Sequence, residues 1–233
     1  MIKLHCRLLY FSTWNRLRQY CPTQGLTFAA RTLEAEWAIY RRHQDGTRQL
    51  ATIKECRQLK LNLGCGPNIK SGWINIDLAG PSDFILDLRE PIPLADCTCQ
   101  MIYSEHFFEH IGYPETALKL LRDYYRLLEP GGLLSIGVPD GELALKAYAG
   151  DDPEQFFTIS KERWHPQWAN TRMEQINFMF RQDGEHQFIY DWETLQKAMG
   201  EAGFSAIHRR AFNPELDSPE RAWGTIYVNA KRP

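Results

Sequence analysis

Leu59-Lys60-Leu61-Asn62-Leu63-Gly64-Cys65-Gly66-Pro67-Asn68 is the stretch whose reading decides the fold. Leucines at 59, 61 and 63 alternate with polar Lys60 and Asn62, the period of a short strand. Gly64-Cys65-Gly66 then imposes a tight turn, where glycine permits backbone conformations closed to other residues and lets a ligand lie against bare peptide. Pro67 suits the first turn of a helix, which must be very short because Gly72 follows. Trp73-Ile74-Asn75-Ile76-Asp77 reads as a second strand ending in a carboxylate, and Phe84-Ile85-Leu86-Asp87 as a third ending in another. Strand, glycine turn, strand and acid make up the plan by which an open α/β sheet holds a nucleoside at the carboxyl ends of its strands.

Working outward, Arg89 to Leu94 is a proline-fixed loop. Met101-Ile102-Tyr103 is a fourth strand opening into SEHFFEHI, Ser104 to Ile111, the start of a helical stretch. Pro114 begins an amphipathic helix with Ala117, Leu121, Tyr124, Tyr125 and Leu128 on one face, and Glu129-Pro130-Gly131-Gly132 stops it. Leu133 to Val138 is nearly all apolar, as expected of a strand buried on both faces. Asp140 reads as the cap of a helix starting at Glu142. Beyond a helix at Asp191–Gly200, Phe204 to Ala206 and Thr225 to Asn229 read as closing strands. Strands alternating with helices predict a mostly parallel sheet.

Toward the amino terminus, Leu26, Ala29, Ala30, Leu33, Trp37 and Tyr40 fall at helical spacing, and Asp45-Gly46 is expected to end that helix. Residues 1–57 carry ten Lys/Arg against four Asp/Glu, and the first twenty residues contain no acid. That segment reads as a basic extension packing on the domain, without the pattern of a secretory signal. The 233 residues, 43% apolar and 24% charged, fit one globular domain with an added segment. The expected division is a helical extension over 1–57 and a nucleotide-binding domain over 58–233. Six sparse cysteines without a C-x-x-C pair point to reduced thiols and a cytoplasmic setting. A net charge of −2 gives no argument for nucleic acid, and no apolar run is long enough to span a bilayer.

Taken together, LNLGCG, the acid-ended WINID and FILDL, SEHFFEHI and RLLEPGGLLSIGVPD resemble a class I S-adenosylmethionine (SAM)-dependent methyltransferase. Among these the chain is most similar to a bacterial type 11-like group that reads GWINID soon after the glycine turn. The resemblance covers about residues 58–140 and, more weakly, the tail to 231. It implies a Rossmann-like, mostly parallel seven-stranded sheet whose last strand is antiparallel, with SAM as cofactor. It implies that Gly64, Cys65 and Gly66 lie against the methionine end of SAM and that Asp77, with Leu78 beside it, takes the ribose hydroxyls. Asp87 and Leu88 then face the adenine, and Ser104, Glu105 and His106 lie beneath the sulfonium. Asn62 stands where the family usually has an acid, and Asn68 where it has a third glycine.

Three other readings compete. A nicotinamide site needs a third glycine where Ile69 stands and an acid later than Asp77. His106-Phe107-Phe108-Glu109-His110 matches the inverted zinc-peptidase pattern, which on a helix would set His106 and His110 one turn apart, but no downstream acid stands out as a third ligand. No metal is therefore expected. The remaining reading is a SAM-binding protein without catalysis. Candidate general bases are His106, Asp140 and His186. Residues 151–190 carry Trp164, Trp168, Arg172, Arg181 and several phenylalanines, and read as a helical insertion after the fifth strand that selects the acceptor. The expectation is a SAM-dependent methyltransferase acting on a small-molecule or glycan-type acceptor, without stable membrane insertion.

Overall fold

The computed structural model describes residues 23–150 and 155–233. The basic segment 1–22 lies outside the described residues. Seven strands form one sheet in the order β3-β2-β1-β4-β5-β7-β6: β1 Leu59–Leu63, β2 Ile74–Asp77, β3 Phe84–Ile85, β4 Cys99–Glu105, β5 Leu128–Pro139, β6 Ser205–Arg210 and β7 Thr225–Lys231. Strands β1 to β5 pair in parallel, and β7 runs antiparallel to both β5 and β6. The chain reverses direction across the sheet between β1 and β4, which places a crevice at their carboxyl ends.

The helices are α1 Gln24–Leu50, α2 Glu115–Leu127, α3 Gly141–Tyr148, α4 Phe156–Arg163, α5 Arg172–Arg181 and α6 Trp192–Glu201. Alternation within each strand gives the sheet two unlike faces. Leu61, Leu63, Ile76, Ile102, Leu134, Ile136 and Val228 join one apolar cluster with Leu120, Leu121 and Leu127 of α2 and Leu195 and Met199 of α6. The residues between them are mostly polar. Pairing aligns Asn75, Asn62, Tyr103, Ser135 and Asn229 in one row across β2, β1, β4, β5 and β7. The first four are buried all the same.

Several sequence expectations need correcting. Asp45-Gly46 does not end α1, which continues to Leu50. Gly46 is buried there because a Cβ would lie 2.0 Å from the Ile85 carbonyl oxygen; the missing side chain seats the helix on β3. No helix forms between Pro67 and Gly72. The connection is too short, and positive φ at Gly64, Gly66 and Gly72 keeps it in turns. Ser104 to Ile111 is not helical either: β4 runs through Glu105, His106 takes φ +51°, and a single 3-10 turn spans Phe108–His110. The Glu129–Gly132 group does follow the end of α2, yet it lies within β5, where it bulges out between the Cys99–Leu128 and Met101–Leu133 pairings. Ser135 and Gly137 are buried as a two-sided strand requires, but under a polar cover.

Residues 155–190 make α4 and α5 with a small core of their own. Phe156, Phe157 and Ile176 pack with Ala144 and Ala147 of α3, and Trp164 stacks on Trp223 at 5.7 Å. Thr171 and Glu174 form a reciprocal capping box at the start of α5, which satisfies helix-end amides that would otherwise lack partners.

Candidate functional site

The glycine turn is held without a helix by a chain of buried amides. Asn62 Nδ2 donates to the Asn68 carbonyl and to Asn75 Oδ1, both at 2.9 Å. Asn75 Nδ2 in turn donates to the Lys70 carbonyl at 3.1 Å and to Asp83 Oδ2 at 2.9 Å. An amide both donates and accepts, so it can bridge a loop where a carboxylate could only accept. This is what Asn62 does in place of the family's acid. Asp77, at the end of β2, accepts from the Gly66 N–H at 2.9 Å and the Ala79 N–H at 3.1 Å. These bonds fix the carboxylate against the glycine turn. A Cβ on Gly64 would collide with the Phe107 ring at 2.2 Å, whereas Gly66 faces open space. Leu78 is half-buried beside Asp77. Cys65 is buried, and desolvation, reinforced by the Asp77 charge, pushes its thiol up to about 12.

Asp87 lies beyond β3 in a fork of charges. Arg89 reaches it through Nη2 at 2.7 Å and binds Glu36 of α1 at 2.8 Å. Burial pushes the Asp87 carboxyl up, but the hydrogen bonds and charge of Arg89 prevail, and the net shift is downward. The Asp87 N–H donates to His43 Nδ1 at 3.2 Å. Glu36, Tyr40, His43, Asp87, Arg89 and Thr116 are among the residues lining a cavity of about 580 Å³. Leu88 turns away into the apolar core.

At the end of β4, neighbouring residues take opposite faces. Ser104 is fully buried. Glu105 anchors the connection before β7: it accepts from Ser218 Oγ at 2.5 Å, Tyr227 Oη at 2.8 Å and the Ser218 N–H at 3.1 Å. Asp217 accepts from Tyr103 Oη at 3.1 Å and from Arg210 Nη1 and Nη2 at 2.5 and 2.6 Å. Asn68 Nδ2 reaches Ser218 Oγ at 2.9 Å, so the 213–221 connection also closes against the glycine loop. His106 lies next to this network. Its Nε2 is 2.8 Å from Thr225 Oγ1, and its Nδ1 is 3.8 Å from Glu109 Oε1. Burial keeps the imidazole neutral, well below its ordinary pKa.

The other two candidate bases are differently engaged. Asp140 Oδ1 accepts from the Leu143 N–H at 3.1 Å and caps α3. His186 lies at the end of the insertion, edge-on to His110 with ring centroids 4.9 Å apart. The Gln187 and Phe188 N–H groups donate to the Glu109 carbonyl at 2.8 and 3.1 Å. The insertion is thereby fastened to the turn that follows β4. Asn75, Asp83, Asp217 and Ser218 also build the site, although the sequence reading does not single them out. Asn75 is visible within WINID, but nothing local marks Asp217 or Ser218, which act across more than a hundred residues of chain.

A sheet ordered β3-β2-β1-β4-β5-β7-β6 with only β7 reversed, carrying a glycine turn after β1 and an acid after β2, defines a class I SAM-dependent methyltransferase. The methyltransferase-domain family model matches residues 29–209, and the chain belongs to that family, with SAM as its cofactor. Solved structures with similar folds include a SAM-dependent methyltransferase from Archaeoglobus fulgidus (18% identity, 82% of this chain and 94% of that one, TM-score 0.48). Another is phosphoethanolamine N-methyltransferase 2 of Haemonchus contortus (12% identity, 81% and 52%, TM-score 0.47). A third is a possible histamine N-methyltransferase from Thermotoga maritima (14% identity, 87% and 95%, TM-score 0.43). No curated protein matches the sequence. Among the described residues, no helix is long and apolar enough to cross a membrane.

Proposed function

We propose that this methyltransferase acts on a small-molecule or sugar-containing acceptor, with SAM lying over the ends of β1, β2 and β3. The residues present fit that cofactor. Gly66 leaves open space above a positive-φ backbone, and Asp77 beside it is only partly buried, with acceptor capacity left after its two backbone bonds. Asp77 would take the ribose hydroxyls, Gly64 to Gly66 the methionine end, and Asp87 the adenine side next to the α1-lined cavity. When bound, SAM supplies a methyl group already activated by its sulfonium, so the protein's task is alignment and exclusion of water.

Of the candidate bases, the geometry favours His106. It is neutral, lies past the end of β4, and has one ring nitrogen held by Thr225. A neutral imidazole so oriented can accept a proton from a hydroxyl or ammonium acceptor. Asp140 serves α3, and Ser104 and Glu105 support the floor from within. In this reading residues 58–233 are the catalytic domain, and α1, although part of the 1–57 extension, walls its adenine side. Residues 151–190 form the acceptor side. Their attachment at Glu109 supports this, since it brings the insertion to the carboxyl end of β4.

The observation carrying the proposal is the Asp77 carboxylate fixed 2.9 Å from the Gly66 N–H. Thermal shift with S-adenosylhomocysteine tests it, because a ligand that binds only the folded state raises Tm. Asp77→Asn keeps the shape but removes the charge, and should abolish most of the shift. An undiminished shift in that variant would rule out the placement. His106→Gln should lower turnover about 10²–10⁴-fold with the shift retained, once labelled SAM has identified an acceptor.

A further inference from the structure

The sequence offers His-x-x-Glu-His with no third donor, and the fold supplies one. Glu109 and His110 come from the 3-10 turn after β4, and His186 from the segment after α5. One atom of each lies within 4.8 Å of the others. The two hydrogen bonds from Gln187 and Phe188 to the Glu109 carbonyl hold the two segments together.

Each imidazole is oriented by a backbone carbonyl. His110 Nδ1 is 3.2 Å from the Glu185 oxygen, and His186 Nδ1 is 2.6 Å from the Met179 oxygen. A carbonyl only accepts, so both Nδ1 atoms carry the hydrogen and both Nε2 atoms keep a lone pair. That is the tautomer in which histidine binds metals, with the second ring nitrogen donating to a carbonyl. Glu109 gives independent support. Its side chain is 1% exposed, and its Oε2 has no hydrogen-bond partner. A buried carboxyl oxygen without a partner is costly.

We propose that Glu109, His110 and His186 form a binding site for a divalent first-row transition-metal cation. Two imidazoles and one carboxylate favour such an ion over magnesium or calcium, which prefer all-oxygen sites. Ligand distances of about 2.0–2.2 Å set neighbouring donors roughly 3.4 Å apart, so the ion draws the three side chains together. Three protein ligands leave at least one position open. Here the inference rests on the proposed function: that position would receive an oxygen or nitrogen of the acceptor. His186 then serves as a ligand, and the ion ties the insertion to β4.

The test uses the full chain, stripped with a chelator and titrated with Co²⁺, followed by calorimetry and visible absorption. One equivalent should bind, His110→Ala and His186→Ala should each weaken it at least 10-fold, and the double variant should abolish it. An S-adenosylhomocysteine thermal shift on every variant reports the fold and the cofactor site separately, so a missing metal site is distinguishable from a wrong methyltransferase site. On the wild type alone, Zn²⁺ should move the histidine ¹⁵N signals of His110 and His186 at Nε2. Absence of stoichiometric Co²⁺ binding, equal binding by the double variant, or ¹⁵N shifts confined to other histidines would each overturn the proposal.

Discussion

The two faces of this sheet are built on different principles. The face bearing Leu61, Ile102, Leu134 and Val228 is covered by α2 and α6 through apolar contact, which is non-directional and tolerates exchange of one hydrocarbon for another. The face bearing Asn62, Tyr103, Glu105 and Tyr227 is covered by irregular backbone, the 64–73 turn and the 213–221 connection. Irregular backbone brings its own unpaired N–H and C=O groups, so the strand side chains beneath it must supply partners. Asn62, Asn75 and Glu105 do so from the strands, and Asp217 does so from within the connection, each with several bonds. Where a helix is missing, hydrogen bonds replace it, and they demand particular residues.

Substitutions on the two faces should therefore cost differently. Asp217→Ala should be the most damaging. It strands Arg210 in a nearly buried position and takes acceptors from Tyr103 Oη and the Asn213 N–H. Breaking such a pair costs about 3–5 kcal/mol, measurable by urea unfolding. The double replacement Arg210→Met, Asp217→Leu should recover only part of that loss, because Tyr103 Oη and the Asn213 N–H still lack their acceptor, and full recovery would mean the polar face demands no particular residues. Ser218→Ala comes next. It removes the 2.5 Å bond to Glu105, and a bond to a charged group contributes about 1.5–3 kcal/mol. On the apolar face Ile136→Val should cost only about 0.5–1.5 kcal/mol, and a loss as large as that of Asp217→Ala would erase the contrast. The smallest effect concerns Cys65. With its thiol pushed up to about 12, it stays protonated at pH 8, and iodoacetamide should modify exposed Cys56 while leaving Cys65 intact, as peptide mapping would show.

The apolar face was legible in the sequence because it is written in periodicity: LKLNL, INID and the 114–128 helix each show their register locally. The glycine turn and its acids were legible for the same reason, being contiguous. The polar face was not. Asp217 and Ser218 sit in a stretch without pattern, and their partners Tyr103 and Glu105 are more than a hundred residues away. Gly46 reads as a helix end because the sequence shows the missing Cβ but not the carbonyl it makes room for. His106, Glu109 and His110 were visible as a motif, yet the helix that motif suggested does not form. The residue that completes the group, His186, is brought in by an insertion whose docking no local rule predicts.

Seating α1 on the Ile85 carbonyl has a consequence for association. A parallel sheet of this kind exposes two borders, and unpaired peptide groups along a border invite a second chain to add a strand. At the β3 border the short strand lies beneath Gly46, so the helix denies another molecule the peptide groups there. At the opposite border β6 is irregular between Ser205 and His208, has Ala206 at φ +49°, and carries Arg209 and Arg210. Gly46→Ala would lift the helix from one border while leaving the other guarded. Its first symptom would be self-association through β3, seen as concentration-dependent light scattering before any loss of secondary structure.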